Sequence, residues 1–454
     1  MVLPINNPTK SFWIEEANST LRDFRSTKDL PKETDVTIIG SGYTGAATAY
    51  WLNKARWDNL QTLINALNET FTWSARFGPE GAMKLIKHEM AHLSAFESLL
   101  AEEGIAEEVC FRLDETFDAA MSDEAWVRLK GAYEAMKRDH GENNEVVRLC
   151  RLIEDTKAAE EFTQMKACVG AVVHPAGQVW PYKFVHALLR IVLKTGNLNL
   201  QAHTPVESVS ERDDSGWIIV KTARGDVRTK TVVHATNRWA SHLLPEFGNL
   251  IFGSRATLAS IKAPEGFIKH TGAQHWDSVV NNYHLQLPPP YNSIIIGGAR
   301  ALLVHTPHDC APNDEEDKQF KGASEFFQSW VESTSIDAFP FVGGIPNRDG
   351  QFVAAGFSGH GMPRILLSTA HITPLVLDAL KAKYTPPSLV APYPPLPMPF
   401  LATAERIASL QEADSTALFE RMVKDCQESA KKSFCDKFGV ARGRKTDAAP
   451  GQED

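Results

Sequence analysis

The sequence predicts an α/β fold, with a Rossmann-like dinucleotide domain joined to a second, α+β substrate domain. Three observations predict it. Residues 35–39 (DVTII) are a β-branched run ending at Gly40 and read as a buried strand. Residues 44–54 (TGAATAYWLNK) then place small and apolar side chains at helical spacing. A second strand, glycine turn and helix comes much later, in QFVAAGFSGHGMPRILLSTAHITPLVLDAL over 351–380. Its return predicts that the last part of the body closes the domain the first part opens.

Bulk properties narrow the function classes. At 454 residues the chain exceeds the size at which one core keeps growing. Hydrophobic (43%) and charged (23%) fractions are those of a globular protein, and no apolar run approaches the roughly 20 residues needed to span a bilayer. The net charge of -9 carries no Lys/Arg stripe for a phosphate backbone, so neither nucleic acid nor membrane is an expected partner. Cys110, Cys150, Cys168, Cys310, Cys426 and Cys435 lie far apart without metal-ligand spacing and read as reduced thiols. MVLPINNPTKSFW lacks a basic and an apolar leader region, GQED is not a peroxisomal address, and the chain reads as cytosolic.

Between the two units the pattern changes twice. Residues 58–166 read as almost wholly helical, as in GPEGAMKLIKHEMAHLSAFESLLAEEG. From Val169 alternation takes over, with one helix (FVHALLRIVLKTG), a β-meander and a buried strand at 231–235. Residues 250–300 read as further strands and 318–332 as a helix. Proline clusters in TPPSLVAPYPPLPMP end the packed body, and 402–438 read as a polar helix before a disordered tail.

Gly40-Ser41-Gly42-Tyr43-Thr44-Gly45 is G-x-G-x-x-G between a strand and a helix. The first glycine allows the tight turn, the second lets a pyrophosphate approach the backbone, and the third permits close helix-strand packing. The helix N-terminus faces the negative charge. The strand-turn-helix context points to dinucleotide binding, with a purely structural turn as the alternative.

Together with HPAGQVWPYKFVHALL (174–189), HTPVESV (203–209), VVHATNRWA (232–240), IIIGGAR (294–300) and DAFPFVG followed by FVAAGFSGHGM (337–362), the glycines give the chain a resemblance to the D-amino-acid-oxidase-like family. These are FAD-dependent oxidoreductases of the sarcosine- and glycine-oxidase type, here in a fungal-type form. The resemblance runs from about Leu21 to Ile407. It implies an FAD-binding domain made of 31–56, 165–245 and 335–384, a helical lobe and antiparallel-sheet substrate domain made of 57–164 and 246–334, and a Pro-rich segment, helix and tail over 385–454. It implies Val206 on the adenine side, Asn237 beside the pyrophosphate, and Gly356, Phe357, Ser358, Gly359, His360, Gly361 and Met362 under the flavin ring. The glycines around His360 independently suit a close backbone approach to an electron-rich carbonyl. For Phe357 and Met362 core packing is the equal alternative.

The chain departs from the family at two places. The second parallel strand, whose terminal acid binds ribose about 20 residues after the glycines, falls at 64–69, where Leu60, Leu63, Ile64 and Leu67 recur at helical spacing. The Gly-Ala-Thr-x-x-x-Gly-Gly segment that follows it is also missing, as though residues had been lost after Lys54. A lost exon, a rebuilt weak site and a flavin-free relative all account for this, so FAD is the expected cofactor with its binding in question. Before Asp337, WVESTSID replaces a glycine-rich W-x-G-x-x-G approach.

The reaction implied is oxidation of a C–N bond of a small-molecule amine or amino acid, with secondary metabolism as the setting. A flavin-free relative, catalysing a non-redox step or binding a small molecule, is the alternative. Tyr283, Arg300 and His360 are the candidate catalytic groups, with His305 just beyond. Arg300 reads equally as a surface cation closing a strand, and Tyr283 and His284 must point to opposite faces. Gly356-Phe-Ser-Gly-His lacks the second glycine of a nucleophile elbow, which disfavours a Ser358/His360 hydrolase. His88-Glu89-Met90-Ala91-His92 satisfies the zinc-protease H-E-x-x-H, but that motif needs a third ligand further along, and Leu85, Ile86, Met90 and Leu93 make the helix a packing element. No metal is expected.

Overall fold

A computed structural model describes residues 20–55, 70–248, 250–277, 281–298, 328–384 and 394–412, with isolated positions 14, 17 and 424. Strand β1 (Glu33–Ile39) is followed at once by α1 (Tyr43–Lys54), and β1 lies parallel to β7 (Gly225–His234), Ile39 opposite His234. The same β7 lies parallel to β14 (Gln351–Ala355) and antiparallel to β6 (Ile218–Thr222). β5 (Val206–Val209) and β13 (Phe341–Gly344) complete a six-stranded sheet in the order β13-β14-β7-β6-β5, with β1 on β7. The first and last strand-turn-helix units therefore share one sheet, as their repeated pattern predicts.

α1 packs between α6 (Pro181–Lys194) and α8 (Met362–Ala379). Ala46, Ala47 and Ala49 let the helices approach, while Tyr50 and Trp51 are fully buried. Burying an aromatic of this size stabilises by about 4–6 kcal/mol before entropy is subtracted. The Trp51 indole N–H donates to the Leu366 carbonyl at 2.7 Å, which locks α1 to α8.

The second sheet has eight strands in the order β12-β8-β11-β10-β9-β2-β4-β3. It holds β2 (Arg112–Ala120), β3 (Arg151–Ile153), β4 (Gly170–Gln178), β8 (Ile251–Lys262), β9 (Thr271–His275), β10 (Asn281–Gln286), β11 (Ser293–Gly298) and β12 (Gln328–Ser335). Three expectations are corrected here. The 58–166 region is not wholly helical, because β2 and β3 interrupt it. Residues 328–332, expected within a helix, lie in β12, which pairs with β8 from Gln328 opposite Leu258 to Ser335 opposite Ile251. β4, expected in the first domain, pairs with β2 along nine positions of the second sheet. In each case the partner strand supplies backbone hydrogen bonds that local periodicity does not reveal. The helical lobe consists of α2 (Thr70–Glu103), broken at Gly78 (φ +72°) before Pro79, with α3 (Asp123–His140), α4 (Glu145–Arg148) and α5 (Thr156–Thr163). The expected helix over 402–438 is described as α9 (Ala404–Glu412), and the rest of it lies outside the described residues. Among the described residues no helix is long and apolar enough to cross a membrane.

A methyl at Gly45 would stand 1.8 Å from the Gly40 carbonyl oxygen, a backbone atom that cannot swing away. Gly45→Ala is expected to destabilise the chain by about 1–3 kcal/mol, read from the urea midpoint of circular dichroism. An unchanged midpoint contradicts this packing.

Candidate functional site

Three parallel strands end side by side, and a turn leaves each. β1 leads into Gly40–Gly42, β7 into residues 235–239, and β14 into 356–361. In open α/β sheets this carboxyl edge is where ligands bind. Each turn takes a backbone form that few residues tolerate, with φ of +110° at Gly40, +48° at Asn237, +79° at Gly356, +52° at Ser358 and +77° at Gly359. A Cβ at Gly40 would lie 2.6 Å from the Ala235 carbonyl oxygen, so the first two turns touch through backbone. The Asn237 side-chain oxygen accepts the Gly356 N–H at 3.0 Å and joins the second turn to the third.

The N-terminus of α1 opens into this crevice. Gly42 is its cap, makes no side-chain capping bond, is exposed, and has nothing within 4 Å of where a Cβ would be. The orphan amides of a first helical turn and the helix dipole favour an anion there. Tyr43 contributes backbone alone, since its ring turns into the core against Phe184 (5.5 Å between centroids) and Phe96 (6.4 Å). Thr44 is buried, its carbonyl accepting from the Thr48 hydroxyl at 2.8 Å. Phe357 is buried in the core and Met362 packs against it.

Ser358 and His360 form no nucleophile-base pair. The Ser358 hydroxyl accepts the Ser335 N–H at 3.0 Å and lies 2.9 Å from the Ser335 hydroxyl, while His360 Nδ1 meets the Ser358 carbonyl at 3.2 Å. Ser358 thus pins the glycine turn to the second sheet. Val206, on edge strand β5, packs its side chain with Ile39 and Val232. Tyr283 lies on β10 of the second sheet, 39% exposed, its ring occupying the space a Gly297 side chain would need. His284 points to the opposite face, buried, with Nδ1 2.6 Å from the Gln274 amide. Arg300, His305 and the stretch 64–69 lie outside the described residues.

The H-E-x-x-H residues do structural work. Glu89 pairs with Arg364 at 2.5 Å, both 1% exposed, tying α2 to the start of α8. His92 Nε2 accepts the Leu367 N–H at 3.1 Å, and its Nδ1 lies 2.9 Å from the His88 carbonyl. Among the described residues no His/Cys/Asp/Glu group could hold a metal ion. Sequence reading missed Arg364, although its place beside the GHGM turn signals a link to it. It also missed Asp118, which bridges His275 (2.9 Å) and His174 (3.2 Å) from neighbouring strands. Burial pulls the Asp118 carboxyl up, and the two imidazoles overcome this and hold it below the carboxylate range.

The three strand-end turns and the helix N-terminus beside them form the carboxyl edge of a Rossmann-like sheet. The family model described as FAD dependent oxidoreductase (DAO) matches residues 35–372, and the chain belongs to that family. No curated protein matches. Among solved structures it is similar to glycine oxidase from Geobacillus kaustophilus, with 21% identity over 82% of this chain and 99% of that one (TM-score 0.56). L-proline dehydrogenase from P.horikoshii shares 18% over 79% and 96% (TM-score 0.53). L-amino acid deaminase from Proteus vulgaris shares 16% over 84% and 96% (TM-score 0.54). At these identities the likeness is one of fold.

Two outcomes follow from the buried groups. Removing either member of a buried ion pair strands the other charge, so Glu89→Ala and Arg364→Ala should each cost about 3–5 kcal/mol in urea melts. Added chelator should leave wild type unchanged. Burial pushes His92 and His234 down to about 4. The folded chain then binds fewer protons than the unfolded one between pH 4 and about 6.5, so this stability is complete above about 6.5 and is lost as pH falls towards 4. Urea melts across that window should show the loss, and His234→Gln should reduce its slope by up to about 1.4 kcal/mol per pH unit.

Proposed function

We propose that the protein is an FAD-dependent oxidoreductase that oxidises a C–N bond of an amine or amino acid. The observation that carries this reading is the open α1 N-terminus at Gly42, next to the backbone contact between Gly40 and the turn that follows β7. The residues fit a dinucleotide. A cradle free of side chains lies at Gly42, and Gly40 and Gly45 sit where any Cβ would strike backbone. Gly40, Gly42, the Tyr43 and Thr44 amides and Asn237 would hold the pyrophosphate, Val206 the adenine side, and residues 356–362 the flavin ring. When bound, FAD supplies the acceptor for the electron pair of the C–H bond beside nitrogen.

The chain's own task is to orient the substrate and exclude water. Tyr283, half-exposed on the second sheet, is suited to hold a substrate polar group by its hydroxyl, and His360 stands on the turn beneath the ring. Arg300 remains a candidate for a substrate carboxylate. Amino acids are the favoured substrates, because the neighbours' names (glycine oxidase, L-proline dehydrogenase, L-amino acid deaminase) are those of amino-acid enzymes. A second reading, a flavin-free relative, draws on the missing Gly-Ala-Thr-x-x-x-Gly-Gly segment after Lys54.

Losing a ribose acid and one or two pyrophosphate contacts, each worth roughly 1.5–3 kcal/mol, weakens binding about a hundredfold or more. The chain should purify mostly colourless, take up FAD when it is added in excess, and then oxidise one member of an amino-acid and N-methylamine panel in air, with dioxygen taking the electron pair and leaving as hydrogen peroxide. One FAD per chain surviving gel filtration overturns the weak-site reading. Failure to take up FAD at all overturns the oxidoreductase reading and favours the second. Gly42→Ala separates chain from cofactor: its methyl meets nothing in the chain, so the melting temperature should hold while FAD affinity falls at least about tenfold.

A further inference from the structure

The helical lobe is joined to the start of α8 through an imidazole whose tautomer the geometry fixes. His92 is fully buried on α2, which packs along α8. Its Nδ1 lies 2.9 Å from the His88 carbonyl, a group that only accepts, so Nδ1 carries the proton. Its Nε2 accepts the Leu367 N–H at 3.1 Å, so Nε2 carries the lone pair. Both nitrogens are used and the ring is neutral. A second proton has one place to go, Nε2, where it competes with the Leu367 N–H for the same lone pair.

The surroundings oppose that proton while the two helices stay packed. α8 presents the Arg364 guanidinium and His371, and α2 presents His88 and Glu89, whose carboxylate Arg364 engages. The His88 ring stands 5.2 Å from that of His92 and 6.4 Å from that of His371, and the Phe400 ring lies 5.3 Å from His88 on the other side. From α1 comes only the uncharged Trp51 indole, on the Leu366 carbonyl. Burial, and after it the Arg364 cation, push His92 down to about 4. An imidazole released into water takes up its proton near 6.5, so the closed arrangement binds fewer protons than an opened one and opening is favoured as pH falls.

We propose that His92 is an acid-released latch: proton uptake on Nε2 expels the Leu367 N–H and lets the first turns of α8 come away from the helical lobe before the chain unfolds. The turn 356–361 leads directly into those helical turns, so its support on the lobe side becomes dependent on pH. The consequence for catalysis rests on the reaction proposed above, and the latch itself does not.

The test is native-state hydrogen–deuterium exchange on the full chain, each rate being divided by the intrinsic rate of the same sequence at the same pH. An opening that takes up one proton grows by up to about tenfold per pH unit below about 6.5. Opening of residues 362–373 should therefore rise at least about tenfold from about pH 7 to about pH 5, while Ile218–Thr222 of β6 stays protected. His92→Gln keeps an acceptor for the Leu367 N–H without a titrating group, and should remove most of that rise. His92→Leu has no acceptor, and its 362–373 segment should be more open than that of wild type already at neutral pH. Circular dichroism checks folding, and if neither variant folds, the comparison of the two wild-type segments decides. No rise in 362–373, an equal rise in Ile218–Thr222, or a full rise retained in His92→Gln overturns the inference. Because no step needs FAD or turnover, failure of the oxidoreductase reading would leave this result standing.

Discussion

Everything at the crevice depends on how closely the ends of β1 and β7 approach. The Ala235 N–H donates to the Ile39 carbonyl at 2.9 Å, continuing the parallel ladder one step beyond β1. The chain must then reverse within Gly40–Gly42 to begin α1, and it does so against the Ala235 carbonyl. Only a residue without Cβ fits, and only glycine adopts φ of +110° at little cost. Gly45 repeats the demand one helical turn later, against the Gly40 carbonyl. Helix position, N-terminus direction and the open space at Gly42 all follow from these two contacts.

The turn between β14 and α8 is held in place by a few polar links. Asn237 reaches Gly356, Ser358 reaches Ser335 at the end of β12, and Arg364 reaches both Glu89 and the Ala338 carbonyl at 3.2 Å. The turn between β14 and α8 is thereby fixed from three sides: by β7, by the second sheet and by the helical lobe. Buried polar links of this kind cost more when broken than they contribute when made. They set the geometry of the crevice more than its stability, and a site that must hold two reacting molecules in register needs that geometry.

What was legible in the sequence is what local chemistry dictates. β1, α1, β14 and α8 could be read because glycines at 40, 45 and 356 mark backbone that no other residue fits. Their common sheet could be read from the repeated unit. β2, β3 and β12 could not, since their strand character comes from partners far along the chain: Phe117 opposite Val173, Thr334 opposite Phe252. Single residues misled in a different way. Glu89 carries a metalloprotease spacing, but its partner is Arg364, and nothing within a helix announces an ion pair to another helix 275 positions away. Tyr43 stands inside the glycine motif, yet its side chain belongs to the aromatic core.

On the proposed reading, the described residues would supply one half of a dinucleotide site more fully than the other. The pyrophosphate side has a helix N-terminus, an open glycine and two turns tied together by Asn237. On the ribose side the family relies on a strand beside β1 ending in an acid, and among the described residues β1 pairs with β7 alone. In the sequence, WDNLQTLINALNETF places leucines and isoleucine at helical spacing where β-branched alternation would be needed. An anion cradle of backbone amides recognises charge and not the nucleoside attached to it. On the proposed reading the glycine turn would favour phosphate, and selectivity for adenosine would need contacts beyond it, with Val206 the candidate among the described residues. Among the described residues the backbone at Gly42 is open and no strand beside β1 serves the base side, so recognition of a nucleoside would fall to side chains and not to the turn.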